Sequence, residues 1–374
     1  MVPLPLVHST NLTYTSSRPL VAVFIGATSG IGENTLRQLC FSHGKQGAGL
    51  RIYLIGRNAL AAERIFDDCK RVCSGGRAEV KFVFVQVEDL TLLRGVEGGC
   101  REVLALERER AGKEEARIDF LCLTQGFVRF GGAEYTPEGL ETSLSLLYYS
   151  RIRAIQTLLP LLTTSTANPS TILSVYAAGM EKSGTFYPDD LGLTGSDSKT
   201  GKPLYSFANC RTHCVHMTTM AFETLAKQNQ GTMALVHVYP GLVIHPKFWH
   251  PSFPAWFKIV WFFAYPFANF FLNTKAEENG QRMLFFASAA RSRFRARGAG
   301  GSKGEKGDEM AIGTDGVPGG GAYSCKYNDE VYDVTKSYVE LRKQGFEERV
   351  WEHTQEVFRT IDSGEAVAAA NIAA

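Results

Sequence analysis

The chain has 374 residues, of which 44% are hydrophobic and 21% charged. That balance excludes a largely disordered or fibrous polypeptide and fits one large or two ordinary domains. Its 40 Lys and Arg against 38 Asp and Glu leave a net charge of +2, too little to draw the whole chain toward nucleic acid or an anionic membrane. The 8 cysteines include no Cys-x-x-Cys pair, so a disulfide framework and a zinc ribbon are not expected, and a cytoplasmic setting is.

Residues 1–18 show no periodicity and read as an extended N-terminal arm without a secretory signal. Strand-like and helix-like stretches then alternate. The expected strands are Leu20–Ile25, Leu50–Ile55, Val80–Val87, Ile118–Leu123, Thr171–Tyr176 and Met233–Val238. The expected helices run over 30–42, 59–72, 90–111, 137–162 and 205–227. Strands apolar on both faces, each followed by a helix, predict an α/β fold with a doubly wound parallel sheet.

Two regions depart from this alternation. Phe253 to Leu272 is dense in aromatics, and together with Trp249 it suggests a lid over 246–273 that covers an apolar ligand and touches a membrane surface peripherally. Its charge-free run, Ile259 to Thr274, is short of the ~20 residues a membrane span needs and contains Pro266. Gly298 to Gly321 is rich in glycine and charge. The reading is a domain over 19–290, a flexible loop over 291–322, a C-terminal extension over 323–362 with a helix at 334–360, and a disordered tail over 363–374. Arg291, Arg293, Arg295 and Arg297 are offset by the acids that follow, so no nucleic-acid partner is expected.

The most specific motif is Ile25-Gly26-Ala27-Thr28-Ser29-Gly30-Ile31-Gly32, at the end of the first strand. Gly26 permits a sharp turn, Gly30 lets backbone approach a pyrophosphate, and Gly32 lets the helix pack closely on the sheet. Thr28, Ser29 and Ile31 complete a helix N-terminus whose free N–H groups favour phosphate. The pattern predicts a Rossmann-type dinucleotide site.

From about residue 19 to 290 the chain resembles the short-chain dehydrogenase/reductase family, with Ile25 where the family has threonine. After the second strand stand Gly56-Arg57-Asn58. Arg57 occupies the place of an acid that would accept from an NAD ribose, and suits a 2′-phosphate. The resemblance further implies cofactor contacts at Asp89, Gly126, Pro240 and Gly241, a hydrophobic small-molecule substrate, and a homodimer through the helices 137–162 and 205–227. His245 follows Pro240-Gly241 and is expected to line the site.

The family's asparagine, serine, tyrosine and lysine are not intact. Leu147 stands near the asparagine position, and Ala177 near that of the serine, three residues after Ser174. Tyr205 has Asn209 in place of the lysine, while a second register pairs Phe207 with Arg211 and has no tyrosine. Without a cation one turn away, Tyr205 is expected to keep its ordinary pKa of ~10. Tyr205, Ser174 and His213 are the expected catalytic set. His213 and its neighbour His216 also have a packing reading, and no metal is expected. Three functions stay open: an NADP-linked oxidoreductase for a bulky apolar carbonyl or alcohol in secondary-metabolite biosynthesis, a non-redox isomerase, cyclase or lyase, and an inactive binding or scaffold protein.

Overall fold

The computed structural model describes residues 1–111, 115–129, 131–244, 253–271, 273–299 and 310–367. The expected strands form β1 (Leu20–Ile25), β2 (Leu50–Gly56), β3 (Val80–Gln86), β4 (Phe120–Leu123), β5 (Ser170–Val175) and β6 (Met233–Val238), joined by β7 (Ala322–Cys325). All neighbours pair in parallel in the order β3-β2-β1-β4-β5-β6-β7. The order reverses direction between β1 and β4. A crevice opens there, outside the carboxyl ends of the strands.

Alternation along each strand feeds two cores. Val21, Val23 and Ile25 of β1 face one helical layer, and Leu20, Ala22 and Phe24 face the other. The first layer contains α4 (Leu93–Ala111), α6 (Ser150–Leu162), α7 (Phe207–Gln228) and α11 (Phe346–Asp362). The second contains α1 (Leu4–Ser17), α2 (Gly30–His43), α3 (Ala59–Cys73) and α9 (Ala276–Ser288). The long helix expected from 137 begins instead as α5 (Thr142–Leu144), where Glu141 accepts from the Ser143 and Leu144 N–H groups. It then passes through a π-turn at Ser145–Tyr149 into α6.

Several expectations need correction. The N-terminal arm is helical. Its inward positions Val7, Asn11 and Thr15 recur every four residues, but two are polar, so no apolar stripe marks the helix. Asn11, the acceptor of a glycosylation-type triplet, is buried and donates to the Gln281 carbonyl at 2.9 Å. The boundary drawn at 290 cuts the sheet, because β7 lies beyond it. The segment 291–322 is tied to the domain where it is described: the Arg297 carbonyl accepts from Gly231 N–H, and its guanidinium meets Asp315 at 2.5 Å. Residues 300–309 lie outside the described residues. The single C-terminal helix is broken into a 3₁₀ turn at Thr335–Tyr338, α10 (Val339–Lys343) and α11, the last two separated by Gly345 at φ +67°.

The C-terminal extension bears on the expected homodimer. Thr212 to Ala226 of α7 are all buried. Tyr148 bonds Thr354 and Tyr149 bonds His353, each at 2.7 Å. Arg342 grips Glu223 through two nitrogens at 2.7 and 3.2 Å, and Lys227 pairs with Glu347. The chain thus covers with its own α10 and α11 the helices expected to meet a second copy. A chain ending at Asp333 loses Phe346, Val350, Val357, Phe358 and Ile361 from the core. At ~1.5–3 kcal/mol each, their loss rivals the stability of an ordinary domain. No cooperative thermal transition is expected for that truncation by circular dichroism. A melt like that of the full chain would show the extension to be dispensable.

Candidate active site

At the crevice, Gly26 turns the chain at φ +79° and donates to the Ile55 carbonyl at 3.0 Å. A Cβ there would lie 2.6 Å from the Gln125 backbone, so only glycine lets β1 and the end of β4 approach this closely. Gly30, at φ +63°, has nothing within 4 Å of an added Cβ and opens onto the crevice. Ser29 caps α2 without a side-chain capping bond. Thr28 and Ile31 are half-buried beside it, and buried Gly32 packs α2 against Ala27 and Thr124.

Arg57 is exposed at the end of β2 and makes no hydrogen bond or ion pair with the described residues. Asn58 caps α3 by accepting from Ala61 N–H at 2.9 Å. Asp89 is drawn into a local turn: one carboxylate oxygen accepts from the Thr91 N–H and hydroxyl at 2.8 and 2.7 Å. Gly126 ends the β4 turn against Leu147 and Arg151. Beyond β6, the Pro240 carbonyl accepts from the Asn279 amide at 3.3 Å, and Gly241 turns at φ +75° beside Tyr327. Free N–H groups, an open glycine and an unpartnered arginine on one crevice fit a dinucleotide phosphate.

The three expected catalytic side chains are not brought together. The Tyr205 hydroxyl lies 3.3 Å from Ser143 Oγ, and α7 begins only at Phe207. Burial pushes Tyr205 well above the ordinary tyrosine range, so its expected unshifted pKa is corrected. The Ser174 hydroxyl is buried in β5 and accepts from Arg151 Nη1 at 2.8 Å. His213 is fully buried, its Nε2 accepts from Tyr187 N–H at 3.0 Å, and its ring packs on Phe186. Burial lowers His213 to about 4, which makes it a neutral packing residue rather than a proton source near pH 7. The two residues of the second register both lie on α7, Arg211 one turn from Phe207 with its guanidinium 5.6 Å from that ring. His245 lies outside the described residues.

Two residues that sequence reasoning left without a role meet behind Gly126. Arg151 is 2% exposed, with Nη2 donating to the Gln125 carbonyl at 2.6 Å and Nη1 to the Val175 carbonyl at 3.0 Å. Its guanidinium lies 5.8 Å from the centre of the Tyr176 ring. A lone arginine in the apolar run Leu146–Ile152 was the available signal, because a buried charge is rare unless it is used.

A cleft of about 550 Å³ opens between the loops after β4 and β5, lined by Ala133, Tyr135, Leu193, Lys202 and Tyr205 among others. Its size suits a small organic ligand. The aromatic segment forms α8 (Ala255–Phe271), rooted beside β6 where Thr274 N–H donates to the Leu242 carbonyl at 3.0 Å. Phe257 and Trp261 stack on its half-buried side, while Trp256, Ile259, Val260, Phe262, Phe263 and Phe267 are exposed. Among the described residues no helix is long and apolar enough to cross a membrane.

No family model matches the chain. A short-chain dehydrogenase/reductase, SAT2, of Stachybotrys chartarum is 32% identical over 345 residues, 92% of each chain. Oxidoreductase andH of Emericella variicolor is 30% identical over 350 residues, covering 92% of this chain and 93% of its own. Among solved structures, the NADPH-dependent 3-quinuclidinone reductase of Rhodotorula rubra superposes with a TM-score of 0.50 at 14% identity, over 78% of this chain and 94% of that one. That likeness concerns the fold.

Proposed function

The chain belongs to the short-chain dehydrogenase/reductase family, and we propose that it is an NADP-linked oxidoreductase for a bulky apolar carbonyl or alcohol in secondary-metabolite biosynthesis. Arg57 carries this reading. It is a cation at the end of β2 with no partner among the described residues, which suits the 2′-phosphate of NADP. Gly26, Ser29, Gly30 and Gly32 hold the pyrophosphate, Asn58 and Asp89 border the adenosine end, and Gly126, Pro240 and Gly241 border the nicotinamide end. When bound, the cofactor supplies or accepts a hydride. The 550 Å³ cleft beside Tyr205 receives the substrate, and α8 closes over it with Phe257 and Trp261 inward.

The non-redox reading keeps one specific support. In α7, phenylalanine precedes the arginine by one turn, so no tyrosine hydroxyl stands one turn before that cation. Oxidation or reduction of the cofactor during turnover separates the two readings, and calorimetry tests the cofactor assignment itself. A charge-assisted contact of ~1.5–3 kcal/mol predicts about 10- to 150-fold tighter binding of NADPH than of NADH, erased in Arg57→Ala. Equal affinity for the two nucleotides in the unmutated chain would sink the assignment.

A further inference from the structure

Arg151 is a buried cation with no carboxylate partner among the described residues. Its guanidinium is held by the Gln125 and Val175 carbonyls and the Ser174 hydroxyl, all neutral, and its Nε has no partner among the described residues. Stripping a guanidinium of water without a counter-charge is costly. Burial lowers its pKa to about 10, which still leaves it charged at neutral pH. Two other orphaned polar atoms accompany it, the Tyr176 hydroxyl and Gln125 Oε1. Tyr176 directly follows β5 and its N–H donates to the Val238 carbonyl at 2.9 Å, so it stands at the carboxyl end of the sheet beside β6. A continuous series of contacts runs from the glycine turn to this hydroxyl: Gly26 against Gln125, Gln125 to Arg151, Arg151 over Tyr176.

A buried phenolic hydroxyl with no acceptor and a buried cation with no anion, both among the described residues, share one unmet need, an oxygen that carries negative charge during reaction. We infer that Tyr176 is the proton donor to the substrate oxygen and that Arg151 is its positioning residue, the pair doing the work that α7 lacks. The inference rests on the oxidoreductase reading above. As the carbonyl carbon accepts the hydride, the electron pair of the carbonyl π bond moves to oxygen. That oxygen takes the Tyr176 proton, the alcohol leaves, and the phenolate regains a proton from water. An alkoxide is a stronger base than a phenolate, so the transfer runs downhill. Burial and the neighbouring Cys214 and Cys210 hold the Tyr176 hydroxyl well above its ordinary value, while Arg211 and Arg151 pull it back. The phenol is therefore loaded with its proton at neutral pH. Arg151 favours the phenolate that the step creates.

The test places 3-fluorotyrosine at position 176 of the full chain and follows its ¹⁹F line. The line is expected to move on saturation with NADP⁺, and Arg151→Met is expected to raise its titration midpoint by at least about one unit, the loss of a nearby cation. With trans-1-decalone as the probe ketone, Tyr176→Phe is expected to lower kcat by about 10²–10⁴-fold, with NADPH affinity by calorimetry within twofold. An unmoved ¹⁹F line in protein that binds NADPH overturns the assignment whether or not decalone is turned over, and so does full turnover by Tyr176→Phe. Absence of any NADPH binding is a different result, which removes the cofactor reading itself.

Discussion

Gly26→Ala is expected to lose NADPH binding by at least about 100-fold, or ~2.7 kcal/mol, while Gly30→Ala costs the fold only the strain of its backbone, roughly 1–2 kcal/mol. Both glycines sit at positive φ, so either alanine carries a left-handed strain of roughly 1–2 kcal/mol. They differ in what a methyl group would meet. At Gly26 it would lie 2.6 Å from the Cα and N of Gln125, which are main-chain atoms that cannot rotate aside. Overpacking there adds about 1–3 kcal/mol. The forced shift is passed to the Gln125 carbonyl and so to Arg151, which it anchors at 2.6 Å. At Gly30 the methyl projects into open crevice, and beyond the backbone strain the harm falls on the nucleotide that approaches it. Denaturant titration and calorimetry on the two variants separate the effects. Gly26→Ala binding NADPH like the unmutated chain would mean that the crevice is not the nucleotide site.

The sheet was legible because its signal is local. Val23-Phe24-Ile25 followed by Gly26, Gly30 and Gly32 announces a strand, a turn and a helix start within ten residues, and each feature has one physical cause. The first six strands repeat that local logic. β7 escaped because Ala322–Cys325 is four residues long and follows a glycine-rich stretch, so it becomes a strand only by pairing with β6. α1 escaped for a related reason: what it buries is Asn11 and Thr15, whose bonds to Gln281 and to the Ser42 carbonyl cross 270 and 27 residues of sequence. No window along the chain contains those partners.

The candidate site was only half legible, and the division follows the same rule. The phosphate end depends on backbone geometry written in glycines, and Arg57 could be placed from its position after β2. The chemical end depends on which side chains three separate elements bring together. Tyr205 looked suitable by spacing, yet the loop before α7 turns its hydroxyl to Ser143. His213 and His216 share a helix face, but Phe186 stacks on His216 at 4.2 Å and packs on His213 at 4.8 Å, making the pair part of the core. Ser174 proves to be a partner of Arg151. The Arg151–Tyr176 arrangement joins α6 to β5, and only its unpaired atoms, which a sequence does not display, reveal the unmet need.

Those buried histidines set a second large stability effect expected of the chain, unfolding on mild acidification. Burial lowers His213, His216 and His353 to about 4 and His237 to about 3. The unfolded chain titrates them near the ordinary ~6.5. Between pH 6.5 and 4 the unfolded state therefore binds protons that the folded state refuses, and stability falls as the pH drops through that window. At ~1.4 kcal/mol per unit, the four together withhold on the order of 10 kcal/mol. Glu141, Glu181 and Asp329, whose carboxyls burial shifts upward, act in the opposite sense and offset part of it. A net loss of several kcal/mol is comparable with the whole stability of many domains, so cooperative unfolding is expected between pH 4 and 5.5 by circular dichroism. His216→Gln keeps a donor for the Glu181 carbonyl that His216 Nε2 meets at 3.3 Å, but removes the titrating ring. It is expected to lower the acid midpoint by several tenths of a pH unit. A chain whose urea midpoint is the same at pH 4.5 and pH 7 would show that these rings accept protons without leaving the core.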